Sequence, residues 1–316
     1  MELKFKLLTF FCLAGFLSYG QSMPSLTVAP DARSAAMGAT GTATSADAYS
    51  IYWNTAKSIF ARERGAMAYT YIPDLNRFSA DFRQHNLAGY YKLNDKNALL
   101  AGFRYFQNGI LDIGDQEIKP EDYTISLGYS RKVCGGFSLG AAVRYLHSDL
   151  KMISAEDAVV FDLGAYYNAE VKLLGKQSVV AVGVNFTNFG TKVGDEYAPA
   201  MIKAGASLEH PFTEHHQLSV AADFGYQVLP EDEDDWDASV GAEYWYRRLV
   251  AVRAGYHWGD VDKGNTDYFS LGCGVCYYHV HADFSYLLAS DSSAAIDKTW
   301  RLTVGIDLGL FQGKKK

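Results

Sequence analysis

The sequence predicts an all-β protein, a transmembrane antiparallel β-barrel of about fourteen strands with an N-terminal plug in its lumen that contains a short helix. Three observations carry this. From Arg64 onward apolar residues alternate with small or polar ones at a period of two, the mark of strands with two unlike faces. The composition is rich in Tyr (22), Phe (18) and Gly (29) and poor in Pro (7), which suits many strands with aromatic girdles and a crowded inner wall. The connections between alternating segments are short and long by turns, as in an up-and-down barrel.

The first element is a secretory signal peptide over residues 1–20. Lys4 and Lys6 supply a positive start, Leu7 to Leu17 an apolar run too short to span comfortably, and Ser18-Tyr19-Gly20 small residues for cleavage near Gly20–Gln21. Cys12 sits inside the apolar run with no small residues leading to it, so no lipoprotein is expected. Export permits disulfides, but Cys134, Cys273 and Cys276 are an odd count. Cys273 and Cys276 fall in a strand pattern, where residues three apart face opposite ways and cannot share one ion.

The second element is an N-terminal plug segment, residues 21–62. Within it Asp31–Phe60 is the only long stretch after the signal that does not alternate. Its first half is small and its second half aromatic, with a short helix expected around Ala48–Phe60. The residues expected to make the plug are Asp31, Arg33, Met37, Gly38, Asp47, Tyr52, Trp53, Asn54 and Lys57. Asp31, Arg33, Asp47 and Lys57 are expected to pair with inward charges on the wall, and Tyr52 and Trp53 to pack on its small residues.

The third element is the barrel, residues 63–311, followed by a basic tail, 312–316. Tyr123, Ile125, Leu127 and Tyr129 share one face and Thr124, Ser126, Gly128 and Ser130 the other. Leu302, Val304, Ile306, Leu308 and Leu310 likewise oppose Arg301, Thr303, Gly305, Asp307 and Gly309. A soluble sandwich also alternates. Against it, the apolar faces carry almost no charge, and the segments run to roughly ten residues, the length a tilted strand needs to cross a bilayer. An Arg or Lys facing lipid near the midplane costs about 2–4 kcal/mol, and Arg104, Arg144, Lys203, Arg253 and Arg301 all sit on the small-residue face. Arg104, Arg144, Asp162, Asp223, Glu243, Arg253, Asp283 and Asp307 are expected to face the lumen, as is Glu170, and to be paired there or to line a solute path.

Short connections such as 94–97, 134–136, 174–176 and 247–248 alternate with longer polar ones such as 107–121, 190–198 and 290–298. Short turns belong in the periplasm and long loops outside. Both termini are therefore expected in the periplasm, with Asp31–Phe60 folding back into the barrel from below. Closure pairs the first strand with the last and removes edges that lipid would not tolerate.

Other chemistry is thin. A net charge of −7 argues against a nucleic-acid partner. The acidic run 231–235 lacks the glycine of a calcium loop, and His215, His216, His279 and His281 match no ligand spacing, so no metal and no cofactor are expected. No serine lies in a nucleophile-elbow motif, and no enzyme is expected.

A family resemblance adds to this. Asp31-Ala32-Arg33-Ser34-Ala35-Ala36-Met37-Gly38, then Ala43 to Ala48, then Tyr52-Trp53-Asn54-Thr55-Ala56-Lys57 resemble the opening of the PorV/PorQ family. The likeness continues in Leu87–Leu93, Ala101–Phe106 and Gly140–Tyr145, and is nearer the PorV branch. It implies a FadL-type barrel with an N-terminal segment in the lumen, in the outer membrane of a Gram-negative bacterium and in contact with its lipid. It also implies a part in type IX secretion, with a large translocon barrel and secreted cargo, bound through its C-terminal signal domain, as partners of the external loops. The alternative is a FadL-like transporter of a hydrophobic ligand. The family commonly has Asn-Pro-Ala where this chain has Asn54-Thr55-Ala56, and the shorter chain implies trimmed external loops.

Overall fold

The computed structural model describes residues 23–311 except 74–81, 110, 114–115, 152–153, 232–234, 264 and 293. The expected signal peptide with Cys12, the middle of the 231–235 acidic run and the basic tail lie outside the described residues.

Fourteen antiparallel strands close into a barrel. In chain order they are β1 Gly65–Pro73, β2 Phe82–Asn94, β3 Asn97–Asn108, β4 Glu121–Cys134, β5 Phe137–Asp149, β6 Glu156–Leu173 and β7 Lys176–Gly190. Then come β8 Ala200–Pro211, β9 His216–Leu229, β10 Asp235–Tyr246, β11 Val250–Gly259, β12 Tyr268–Tyr277, β13 Val280–Ala289 and β14 Trp300–Asp307. Each pairs with its neighbour in sequence, and β1 closes on β14 with Tyr69 opposite Val304. The alternation of short turns and long loops follows the sequence reading. Two long loops carry hairpins of their own, Leu111–Ile113 with Gln116–Ile118 and Lys192–Val193 with Glu196–Tyr197. Beyond Asp307 the chain leaves the wall as a 3-10 turn, Leu308–Phe311, so the alternation expected through Leu310 stops as strand three residues earlier.

The two faces decide the environment. Large apolar side chains point outward and stand exposed, Leu127 at 59% and Leu163 at 60%, while Gln84, Ser126, Ser130, Glu243 and Ser270 point inward and are fully buried. A soluble sandwich would have the reverse. Cys273 faces outward and Cys276, three residues on, is half-buried on the other face; both are free thiols.

The N-terminal segment lies against the inner wall. It carries helix α1 Ala32–Ala36, helix α2 Ser50–Trp53 and a 3-10 stretch Thr55–Phe60. Met23 and Leu26 pack on Leu146, Ala158, Val160, Val193 and Ala198, at the end of the barrel that bears the long loops. At the other end Lys92, near the end of β2, donates to the Ala61 carbonyl at 2.5 Å. The chain therefore descends through the lumen before it enters β1. The described chain starts at the loop end, whereas β14 finishes at the turn end, where Asp307 N–H donates to the His279 carbonyl at 2.7 Å.

Candidate functional site

The site is the contact between this segment and the inner wall. Helix α1 is five residues long and is held by its cap: Asp31 is extended and accepts from Ser34 N–H at 2.8 Å through Oδ2. Its other oxygen accepts from the Trp53 indole at 2.8 Å, tying α1 to α2. Burial, then the nearby Asp47 carboxylate, push the Asp31 carboxyl above its ordinary range. Asp31 thus pairs within the segment and not with the wall.

Among the described residues Arg33 is the one segment charge that ion-pairs with the wall. Its Nε and Nη2 donate to the two Glu243 oxygens at 3.0 and 2.9 Å. The remaining N–H groups reach Asp47 at 3.1 Å and the carbonyl and hydroxyl of Ser45 at 3.2 and 2.9 Å. All five donors of the planar fork are placed. Glu243 also accepts from Arg253 Nε at 2.7 Å, and Arg253 donates to Asp283 at 2.7 Å. Asp47, Arg33, Glu243, Arg253 and Asp283 therefore form one chain of alternating charge from the segment across β10, β11 and β13. Burial disfavours the Arg33 charge, yet Glu243 and Asp47 outweigh it and hold its pKa well above the ordinary value.

Lys57 departs from expectation. Its ammonium donates to the Gly41 carbonyl at 2.6 Å and Thr44 Oγ1 at 3.1 Å, and among the described residues no acid is within ion-pair distance. Burial lowers its pKa.

The helix expected over Ala48–Phe60 is split at Asn54, which is extended (φ −163°, ψ 104°). Its Oδ1 caps the 3-10 stretch at Ala56 N–H (3.1 Å), and its Nδ2 donates to Thr42 and Ala165 carbonyls at 3.2 and 3.0 Å. An interior helical residue could not offer both, so local propensity yields to tertiary hydrogen bonding. Wall side chains read the segment's backbone in return. Asn185 donates to the Trp53 carbonyl at 2.7 Å, Ser130 and Ser138 to the Ala56 carbonyl at 2.9 and 2.7 Å, and Ser207 to the Ala43 carbonyl at 2.7 Å. Asp223 accepts from Gly41 and Thr42 N–H, both at 2.8 Å.

The approach is close. Met37 and Gly38 lie directly on Gly241 and Gly255, where any Cβ would overlap the segment's backbone. Gly38 itself has φ +69°, and its N–H donates to Ser270 Oγ at 3.0 Å. Tyr52 lies across Gly102, between the guanidiniums of Arg104 and Arg144, 5.4 and 5.7 Å from its ring centre. Burial pushes the Tyr52 phenol up to about 12. Trp53 packs over Gly41 of its own segment and belongs to one buried cluster with wall residues such as Ala68, Leu100 and Ala142.

The other lumen residues sort themselves by contact. Arg144 donates to Asp162 at 2.7 Å, to Ser126 at 3.1 Å and to Asn188, whose own N–H donates to Asp162 at 2.8 Å. Arg104 has no carboxylate partner among the described residues and donates to the Ser25, Leu26 and Val28 carbonyls at 2.8, 3.2 and 2.9 Å. Asp307 is half-buried at the turn end beside His281 and Glu63, away from the segment, and Glu170 is exposed at the end of β6. Sequence reasoning missed Asn86, Asn185, Asn188 and residues 25–30 as parts of this contact. Inward parity and a polar side chain would have found the asparagines at 86 and 185. Asn188 turns inward only because its φ is +61°.

The site holds two serine–histidine pairs, Ser178–His210 at 2.7 Å and Ser239–His257 at 2.9 Å. Each is buried between adjacent strands, so both serve as wall hydrogen bonds.

Comparison with known proteins follows from this geometry. Residues 18–234 match the family model described as type IX secretion system protein PorV. No curated protein matches the chain. Among solved structures, the Ralstonia pickettii toluene transporter TbuX superposes with a TM-score of 0.61 at 14% identity, covering 88% of this chain and 98% of that one. A Pseudomonas aeruginosa FadL homologue gives 0.55 at 12%, covering 89% and 99%. The Pseudomonas putida toluene transporter TodX gives 0.55 at 13%, covering 88% and 98%. At these identities the likeness is one of fold.

Proposed function

The chain belongs to the family of the type IX secretion system protein PorV, a family of the Gram-negative outer membrane, and from that premise we propose a non-enzymatic role in protein secretion. In this reading residues 31–60 are a plug, the short turns face the periplasm, and the long loops bind the large translocon barrel, the C-terminal signal domain of secreted cargo, or both. The observation that carries it is the filling of the lumen. Ala32, Ala35, Ala36, Thr40, Asn54 and Lys57 have no solvent-accessible surface, so a solute path through this level must first displace a hydrogen-bonded segment. Docking at the loops requires no such step.

One observation favours transport of a hydrophobic small molecule instead. The β6–β7 pairing breaks register between Phe161 and Leu163, opposite the positive-φ Asn188, and a lateral opening in the wall would sit there. Arg144, Asp162 and Asn188 fill that break with buried hydrogen bonds, which weighs against it. Extraction of the tagged chain in gentle detergent, with identification of what accompanies it, separates the readings. A large barrel or an exported protein supports the secretion role. Bound lipid-like molecules with neither protein overturn it in favour of transport.

A further inference from the structure

The rim that bears the short turns is unlike ordinary turn surface. Each of its six turns carries an exposed apolar side chain at or beside the tip: Leu93, Val133, Leu174, Phe212, Leu249 and Tyr278. Leu174 and Tyr278 are about four-fifths exposed, at 81% and 80%. Exposed turns ordinarily take Gly, Asn, Asp or Ser. The backbone sharpens the point. Leu174, Arg247, Arg248 and Tyr278 have φ of 47°, 52°, 54° and 54°, a region that bulky residues enter at a cost and that Gly or Asn would fill freely. Large side chains are kept there despite the backbone.

The same rim is basic. Lys96, Arg131, Lys172, Lys176, Arg247 and Arg248 are exposed, and none has an ion-pair partner among the described residues. The exposed acids on the rim are Asp95, Glu170 and Glu214. At the opposite, long-loop end exposed acids and bases balance among the described residues: Glu117, Asp157, Asp195, Glu196, Glu231 and Asp291 stand against Arg83, Lys119, Lys151, Lys192, Lys263 and Lys298.

Apolar tips on all six turns, with exposed cations beside the 94–97, 174–175 and 247–248 turns, match a layer that is apolar below and anionic above. Apolar side chains and aromatic rings seat at the acyl boundary while Arg and Lys extend to phosphates. A protein partner beside the barrel would touch one sector, whereas the apolar tips recur on all six turns and so encircle the barrel axis. We propose that the short-turn rim is a binding ring for anionic glycerophospholipid headgroups of the leaflet that surrounds it, with Arg247 and Arg248, and Lys172 and Lys176 beside Leu174, as its phosphate contacts.

The test reconstitutes the full chain in nanodiscs of phosphatidylcholine mixed with phosphatidylglycerol and counts by native mass spectrometry the lipids that stay bound on release. The wild-type protein is expected to retain phosphatidylglycerol in preference to phosphatidylcholine. Arg247→Gln with Arg248→Gln is expected to reduce that preference at least about fivefold, and Arg247→Lys with Arg248→Lys to keep most of it. Heat-shifted gel mobility reports that each variant is a folded barrel. Equal retention of the two lipids by the wild-type protein overturns the proposal, as does a preference unchanged in the folded Gln variant. Loss of a co-purifying acidic protein from that variant, with lipid retention unchanged, makes the rim a protein dock and overturns it too.

Discussion

At the scale of single residues the segment is held by groups with no water to fall back on. Glu243 is 1% exposed and serves two guanidiniums at once, Arg33 of the segment and Arg253 of the wall. Removing one partner of a buried pair leaves an uncompensated charge, at about 3–5 kcal/mol. Glu243→Ala is therefore expected to lower the temperature at which the barrel loses its compact gel mobility far more than removal of an exposed acid such as Glu214. Lys57 makes a different prediction. Its folded pKa lies below the ordinary 10.5, so between that lowered value and 10.5 the unfolded chain binds the extra proton. Stability contributed by this residue therefore rises with pH through that window. Lys57→Met is expected to flatten the rise, measured as unfolding midpoint against pH, and a slope unchanged from wild type would reject a buried, unpaired ammonium. Parity in the sequence places Asp162, Asp223, Glu243 and Arg253 on the inner face. It does not give their partners: Arg104 reads three carbonyls and Asp223 two amides, because partners from distant parts of the chain are set by the path of the segment.

At the scale of elements, Asn54 shows why the helix expected over Ala48–Phe60 was only partly legible. The aromatic run 49–53 and the residues after it suit a helix, and helix forms on both sides of Asn54. The break buys three hydrogen bonds that a continuous helix would forgo. Asn54→Ala removes a cap and two buried contacts and is expected to destabilise by about 1–3 kcal/mol, the sum of a lost cap and orphaned carbonyls. Asn54→Ser, which keeps a neutral capping oxygen but loses both donations, is expected to fall between. Proteolytic sensitivity of residues 31–60 in the folded barrel measures this directly, and equal sensitivity in all three proteins would count against the role given to Asn54. The strands were more legible than the helices, since an alternating face repeats with little regard to what fills the lumen.

At the scale of the molecule, the path of the chain sets its topology. The segment passes from the loop end to the turn end inside a closed wall, so the start of the described chain and the end of β14 lie at opposite ends of the barrel. With long loops outward, an epitope placed just before Met23 is expected to be reached by antibody on intact cells. One placed after the last residue is expected to be reached only once the outer membrane is opened. Both tags reached only after opening would reject that path or that orientation.

The sequence by itself determined the strand number, the order of turns and loops and the outward apolar face. These follow from a period of two and from the free-energy cost of charge in lipid, both of which act locally. The tertiary structure alone decided the direction in which the segment threads the lumen, the split at Asn54, the isolation of Lys57 and the chain of charges from Asp47 to Asp283. Each depends on which residues meet across the closed wall, and closure joins groups some two hundred positions apart, as Arg33 and Glu243 are.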